Sequence, residues 1–264
     1  MIRVEDLRVT FSPGTVMETH ALQGIDIDIA AGEFVTVIGS NGAGKSTLLN
    51  CLTGEVPPTF GRILIDGTDV TAWPSPRRAA LAARVFQDPM AGTCEGLTIE
   101  ENLALAAARG ARRGLGKALS QERRDEFRDK IVRLGLNLEN RLGDRMGLLS
   151  GGQRQAVSLV MATLRPTKIL LLDEHTAALD PRMQSFVLDL TRDLVEAEKL
   201  TTLMVTHSMR QALSLGTRSL MLHEGRVVLD VKGEERAKLE VGDLMAMFAQ
   251  VRGEEIDSDA LLLS

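Results

Sequence analysis

FVTVIGSNGAGKSTLLN, residues 34–50, opens with an apolar run, Phe34 to Ile38, that predicts a short strand. Gly39 starts a glycine-rich turn, and Lys45 to Leu49 predict the start of a helix. Gly39, four residues and then Gly44-Lys45-Ser46 is the spacing of a phosphate-binding loop, in the strand–loop–helix context such a loop needs. Gly39, Gly42 and Gly44 let the backbone curl until several N–H groups face one concavity, which attracts anions. The helix that follows adds its positive N-terminal end. Lys45 would set a cation on the β- and γ-phosphates, and Ser46 would offer a hydroxyl to Mg2+. The alternative is a glycine-rich turn that binds nothing, and the flanking strand and helix argue against it. The stretch predicts a nucleoside triphosphate site.

Toward the N-terminus, Leu22 to Ile29 ends in IDIDI, whose alternation predicts a half-buried strand. Ile2 to Phe11 predicts another, closed by the turn Ser12-Pro13-Gly14. Downstream, Arg62 to Ile65 predicts a strand ending in the hairpin-type turn Asp66-Gly67. Pro76 to Ala83 predicts a short helix, and Arg84 to Phe86 a strand. From Asp88 the pattern turns helical. Thr98 stands three residues before Glu101, a capping box for a helix through Ala108. Glu122 to Leu134 sets Phe127, Ile131 and Leu134 on one helical face. Ser150-Gly151-Gly152 leads into a helix from Gln153 to Leu164.

Lys168 to Asp173 returns to strand, and its run of isoleucine and leucines predicts burial on both faces, as in a parallel sheet. Pro181 opens a helix to Lys199, Thr201 to Thr206 predicts a strand, and Ser208 to Leu215 a helix. Ser219 to Leu222 and Val227 to Val231 predict a hairpin, followed by a helix over Leu239 to Phe248. The basic stretch Arg109 to Lys117 is expected to be a solvated loop, and the residues from Arg252 a loose tail.

With 264 residues, 44% hydrophobic and 25% charged, the chain can bury a sizeable core. Its net charge of −5 disfavours nucleic acid as a partner, because that binding needs a basic face. The longest apolar run, Ala156 to Leu164, is far short of the ~18 residues of a membrane span. MIRVEDLRV carries charges where a signal peptide needs an apolar core. Cys51 and Cys94 alone do not suggest a disulfide framework, so the cytoplasm is the expected compartment.

Asp173-Glu174 closes the buried strand, and strand ends of open α/β sheets are where ligands bind. One acid there can hold Mg2+ through water while its neighbour polarises an attacking water. Alone the pair is weak, because many strands end in acids; with the loop at 39–46 it is strong. Leu149-Ser150-Gly151-Gly152-Gln153 is either a second anion site or a plain helix cap, and local physics leaves the two even.

With these motifs in order, the chain resembles the nucleotide-binding subunits of ABC transporters from end to end. LSGGQRQ, residues 149–155, is the most specific match. GSNGAGKST at 39–47 resembles their Walker A loop and ILLLDE at 169–174 their Walker B strand. FQDP at 86–89 resembles their Q-loop, ALD at 178–180 their D-loop and VTH at 205–207 their histidine switch.

The resemblance implies an α/β fold: a P-loop NTPase core of the RecA-like kind, with an antiparallel β flank and an inserted α-helical subdomain. A single nucleotide-binding domain would span residues 1–264. Its catalytic lobe would cover about 1–87 and 166–232, its helical subdomain about 88–165, and a C-terminal helix and tail about 233–264. ATP and Mg2+ are the implied ligands. Phe11 would stack on adenine, where the family often has Tyr, or else belong to the core. Ser40, Asn41, Gly42, Ala43, Gly44, Lys45, Ser46 and Thr47 would wrap the phosphates. Ser46 and Gln87 would ligate Mg2+, with Asp173 holding it from further out. Glu174 would be the general base and His207 would contact the γ-phosphate, completing with Lys45 and Gln87 the catalytic set. Ser150, Gly151, Gly152, Gln153 and Asp180 would contact ATP across a head-to-tail, ATP-dependent pair formed with a second copy, the expected homodimer, or with a homologous partner.

The implied function is ATP hydrolysis driving import of a small solute, an amino acid, through separate transmembrane permease subunits. The chain would sit peripherally at the cytoplasmic face of the inner membrane, with an extracytoplasmic solute-binding protein as indirect partner. A groove near Gln87 to Asn102 would receive the permease, with Met90, Leu97 and Ile99 as its apolar contacts or as helical core. Two rivals are a non-transport ABC ATPase and a regulatory nucleotide-binding module. The first usually has two linked cassettes or a long coiled coil, and the second is disfavoured by Glu174 and His207.

His175 stands where the family usually has Pro. Protonated, it would stabilise the Glu174 carboxylate and weaken it as a base; otherwise it fills a turn with its side chain pointing away. DEHTAALDP and KLEVGDLMAMF resemble a branch described as tryptophan/tyrosine transport systems. Leu142-Gly143-Asp144-Arg145 is similar to a loop of exporters and is read as a surface loop.

Overall fold

The computed structural model describes residues 1–111 and 118–252. Part of the basic stretch Arg109 to Lys117, and the tail after Arg252, lie outside the described residues. In chain order the elements are β1 (Ile2–Phe11), β2 (Thr19–Ile29), β3 (Phe34–Gly39), α1 (Lys45–Thr53), β4 (Phe60–Ile65) and β5 (Thr68–Asp69). Then come α2 (Ser75–Arg78), β6 (Ala82–Val85), α3 (Ile99–Ala107), α4 (Gln121–Val132), α5 (Gly151–Thr163), β7 (Ile169–Asp173) and α6 (Pro181–Glu198). The rest is β8 (Thr202–Val205), α7 (Met209–Ser214), β9 (Arg218–His223), β10 (Arg226–Lys232), α8 (Gly233–Ala237) and α9 (Val241–Arg252). Two compact units result, Met1–Ser75 with the chain from Leu200 onward, and Pro76–Lys199.

In the first unit an antiparallel sheet has the order β2-β1-β4-β5. Ile25, Ile27 and Ile29 of β2 are buried while Asp26 and Asp28 face out, as the IDIDI alternation requires. A second sheet carries β10-β9-β3-β8, with β3 parallel to both β8 and β9. These three strands are buried almost throughout, which explains their continuous apolar runs. The one polar side chain inside β3, Thr36, is satisfied: its Oγ1 lies 3.1 Å from the Ala212 carbonyl and 2.9 Å from Ser219 Oγ.

The second unit contains the parallel pair β6–β7 and the helices α3 to α6. Ile99, Leu103, Phe127, Ile131, Leu138, Met146 and Val157 build its core. The capping box forms as spaced: Thr98 Oγ1 accepts from Glu101 N–H and the Glu101 carboxylate accepts from Thr98 N–H. Three expectations change here. The helix expected over 76–83 stops at Arg78, because Ala82 and Ala83 pair with Ile169 and Leu170 as strand. Leu142 to Arg145 is not merely a surface loop: Leu142 is buried, and the carbonyls of Leu142 and Asp144 accept from the first N–H groups of α3. Arg109 is not simply solvated either, since its Nη2 donates to the Ala162 carbonyl at 2.9 Å near the end of α5.

Candidate active site

In the first unit, β3 delivers the chain into the loop at 39–44. Gly44 caps α1 at φ 98°, and a Cβ there would lie 2.6 Å from the Ala21 carbonyl oxygen. At Gly39 a Cβ would meet the Leu222 carbonyl oxygen at 2.2 Å. Both positions therefore require glycine. Lys45 is buried, and its Nζ donates to the carbonyls of Gly39 at 2.7 Å and Ser40 at 3.0 Å. The ammonium is thus fixed across the loop. Asn41, Gly42 and Ser46 are exposed, Ser40 and Thr47 half-buried, and Ala43 and Gly44 buried.

β8 lies beside β3 with Val37 opposite Val205, and Thr206 N–H donates to the Val37 carbonyl at 3.1 Å. His207 follows at once and is exposed. The phosphate loop and His207 therefore leave neighbouring parallel strands at one C-terminal edge, where α/β sheets bind ligands. Thr206 Oγ1 donates to Gln211 Oε1 at 2.8 Å and accepts from Ser208 N–H at 3.1 Å, fixing the turn around His207. Arg236, buried in α8, donates to the carbonyls of Ala212, Leu213 and Leu215 at 2.6, 3.1 and 2.5 Å. It satisfies the carbonyl end of α7, the helix that follows His207. Phe11 ends β1 at 42% exposure, which removes it from the core.

In the second unit, Val85 pairs with Leu172, so Gln87 and the acids Asp173 and Glu174 leave β6 and β7 at one edge. Gln87 is exposed. Asp173 Oδ2 accepts from Arg84 Nη2 at 2.6 Å. Glu174 sits at φ 46°, a left-handed conformation that costs a non-glycine residue about 1 kcal/mol and that clusters at functional sites. Its carbonyl accepts from Ala177 N–H at 2.9 Å, closing the turn.

The sequence model of the family described as ABC transporter matches residues 22–177. The chain belongs to that family. It is 42% identical over 253 residues to the tyrosine transport ATP-binding protein of Clostridioides difficile (strain R20291), covering 94% of this chain and 98% of that one. It is 34% identical over 221 residues to the thiamine import ATP-binding protein ThiQ of Shigella boydii serotype 4 (strain Sb227), covering 84% and 90%. Among solved structures, the dimeric post-hydrolysis state of the ATP-binding cassette MJ0796 bound to ADP and Pi superimposes with a TM-score of 0.76 at 28% identity, covering 88% of this chain and 98% of that one. The fold is that of a P-loop NTPase, and the protein is an ATPase of the ABC transporter type.

In this ABC cassette the LSGGQRQ segment, residues 149–155, contains a helix start. Ser150 Oγ accepts from Gln153 N–H at 3.2 Å, and Gln153 Oε1 accepts from Ser150 N–H at 3.1 Å. Ser150 and Gly151 are exposed, and Gly152 packs so closely on Met183 that a Cβ would lie 2.6 Å from its Cε. Asp180 caps α6 through Oδ1, which accepts from Arg182 and Met183 N–H at 3.1 Å. A cleft of about 420 Å3 opens in the same unit, lined by Phe86, Pro89, Asn102, Leu105, Ala106 and Met161 among others. Of the apolar contacts expected there, Met90 is exposed and Leu97 half-buried, but Ile99 is fully buried helical core.

His175 of the cassette turns inward. It is 2% exposed, and its Nε2 lies 2.9 Å from Thr191 Oγ1. Thr191 already donates its proton to the Val187 carbonyl, so it accepts from His175 Nε2–H. Burial pushes the imidazole down from 6.5 to about 4. His175 is therefore neutral near pH 7 and does not weaken Glu174. Its effect is on stability. As pH falls below 6.5 the unfolded chain takes the proton first, and the folded chain follows only near 4. Wild type should lose about 2 kcal/mol more than His175→Gln between pH 7 and pH 5 in urea unfolding. The acid limbs of their turnover–pH profiles should superimpose.

Arg84, Arg236 and Thr191 carried no role in the sequence. Only Arg84 left a trace there, as a charge opening the apolar strand expected over Arg84 to Phe86.

Proposed function

We propose that this cassette is the ATP-hydrolysing subunit of an importer for an amino acid, working as an ATP-dependent pair on separate membrane subunits. One observation carries the catalytic part: Glu174, strained at φ 46°, stands at the end of a buried strand directly after a paired aspartate. Asn41 to Thr47 wrap the phosphates, with Lys45 as their cation, and Phe11 stacks on adenine. Glu174 takes the proton of the attacking water while the γ-phosphoryl group passes to that water's oxygen, giving ADP and phosphate. His207 steadies the γ-phosphate. Ser150, Gly151, Gly152 and Gln153, with Asp180, reach the ATP of the second copy.

Ser46, Gln87 and Asp173 offer only oxygen donors, which suits Mg2+. Among the described residues no group of three or more His, Cys, Asp or Glu could hold a metal by itself. Mg2+ at such sites takes further oxygen ligands from water and from the substrate's phosphates. When bound it neutralises charge on the β- and γ-phosphates.

The likeness to a tyrosine transport cassette over nearly the whole chain supports amino-acid import. Among the described residues no helix is long and apolar enough to cross a membrane. The separate permease would dock in the cleft beside Phe86 and Leu105. Leu105 is 53% exposed there. Reconstituted with its permease in vesicles, the cassette should drive ATP-dependent uptake of tyrosine or a related amino acid. Leu105→Glu should leave basal turnover unchanged while abolishing co-purification and uptake. Export, or uptake of thiamine alone, would overturn the assignment.

A further inference from the structure

A positive side chain already holds the carboxylate assigned to Mg2+. In the pair β6–β7, Arg84 lies opposite Leu171, so Arg84 and Asp173 project from the same face of the two strands. Arg84 Nη2 donates to Asp173 Oδ2 at 2.6 Å, with the two side chains only 10% and 13% exposed. Phe86, two residues after Arg84 and just past the end of β6, lies under the guanidinium at 4.7 Å from its ring centre. Gln155 Nε2 donates to the Phe86 carbonyl at 3.0 Å and steadies that strand end. The arginine is thus held on one side by the ring and on the other by the acid.

We propose that Arg84 is a positioning residue that serves as the resident counter-ion of Asp173 and sets how strongly nucleotide binding depends on Mg2+. The proposal rests on the reading of Asp173 as the acid facing Mg2+. A carboxylate this enclosed needs a cation nearby. Without the ion, Arg84 supplies it; with the ion, two cations share one acid and repel each other. Removing the guanidinium acts twice in the same direction. It deprives the metal-free carboxylate of its partner, and it relieves the repulsion that the ion meets on arrival. A side chain that merely braced the strand would instead change nucleotide affinity equally with and without Mg2+.

The measurement is the affinity of the full chain for a fluorescent non-hydrolysable ATP analogue in EDTA and in saturating Mg2+, and the ratio of the two. Arg84→Met should raise the Mg2+-dependent gain by about tenfold over wild type, the size of a close like-charge effect. Arg84→Gln, which keeps a hydrogen bond to Asp173 but no charge, should show the same increase. Arg84→Lys should restore the wild-type ratio. In Asp173→Asn the same change at Arg84 should leave the ratio where it was. A ratio unchanged or reduced in folded Arg84→Met or Arg84→Gln would overturn the role of Arg84. A wild type that binds the analogue with no gain from Mg2+ would instead overturn the metal reading of Asp173.

Discussion

Glu174→Gln should cut ATP turnover by about 10²- to 10⁴-fold while ATP binding stays close to wild type, the span a positioned general base contributes. Glutamine keeps the shape of the side chain, and the left-handed backbone at φ 46° suits it no worse than glutamate. Only the capacity to accept a proton is lost. The turn itself is held by main-chain bonding from Ala177 to Glu174, which the substitution does not touch. Phosphate release under saturating ATP, alongside equilibrium binding of the nucleotide, separates the two quantities. Wild-type turnover in the variant would remove Glu174 from the chemistry.

Lys45→Ala should act at the other step. Its Nζ is fixed over the loop by the carbonyls of Gly39 and Ser40, so the cation is already in place before any phosphate arrives. Hydrogen bonds to charged groups contribute about 1.5–3 kcal/mol each, so losing two phosphate contacts should weaken ATP binding roughly a hundredfold or more. Titration with a fluorescent ATP analogue measures it. The fold should survive, because Gly44 and the buried Leu48, Leu49 and Leu52 still anchor α1. Unchanged affinity in the variant would mean that the lysine braces the loop and does not hold phosphate.

Much of this was legible because local chemistry and tertiary placement agree. The IDIDI alternation, the apolar ILLL run and the Thr98–Glu101 box each became the element their pattern requires. Where they differ, pairing across the chain decided the outcome. Ala82 and Ala83 suit a helix, yet β7 recruits them as strand. The roles of Arg84 and His175 depended on partners 89 and 16 residues away, which no local pattern could supply. Arg236 is a plain member of a charged segment until its guanidinium is seen at the carbonyl end of α7. The five-residue helix over Gly233–Ala237 was equally hidden, being too short for a periodic pattern.

The proposed pair of copies closes on ATP through the exposed helix start at Ser150. Its most direct test is the mass of Glu174→Gln by light scattering, with and without Mg-ATP. With hydrolysis slowed, the variant should accumulate as a pair with nucleotide and return to a single chain when it is removed. A mass that stays the same with and without Mg-ATP would contradict it.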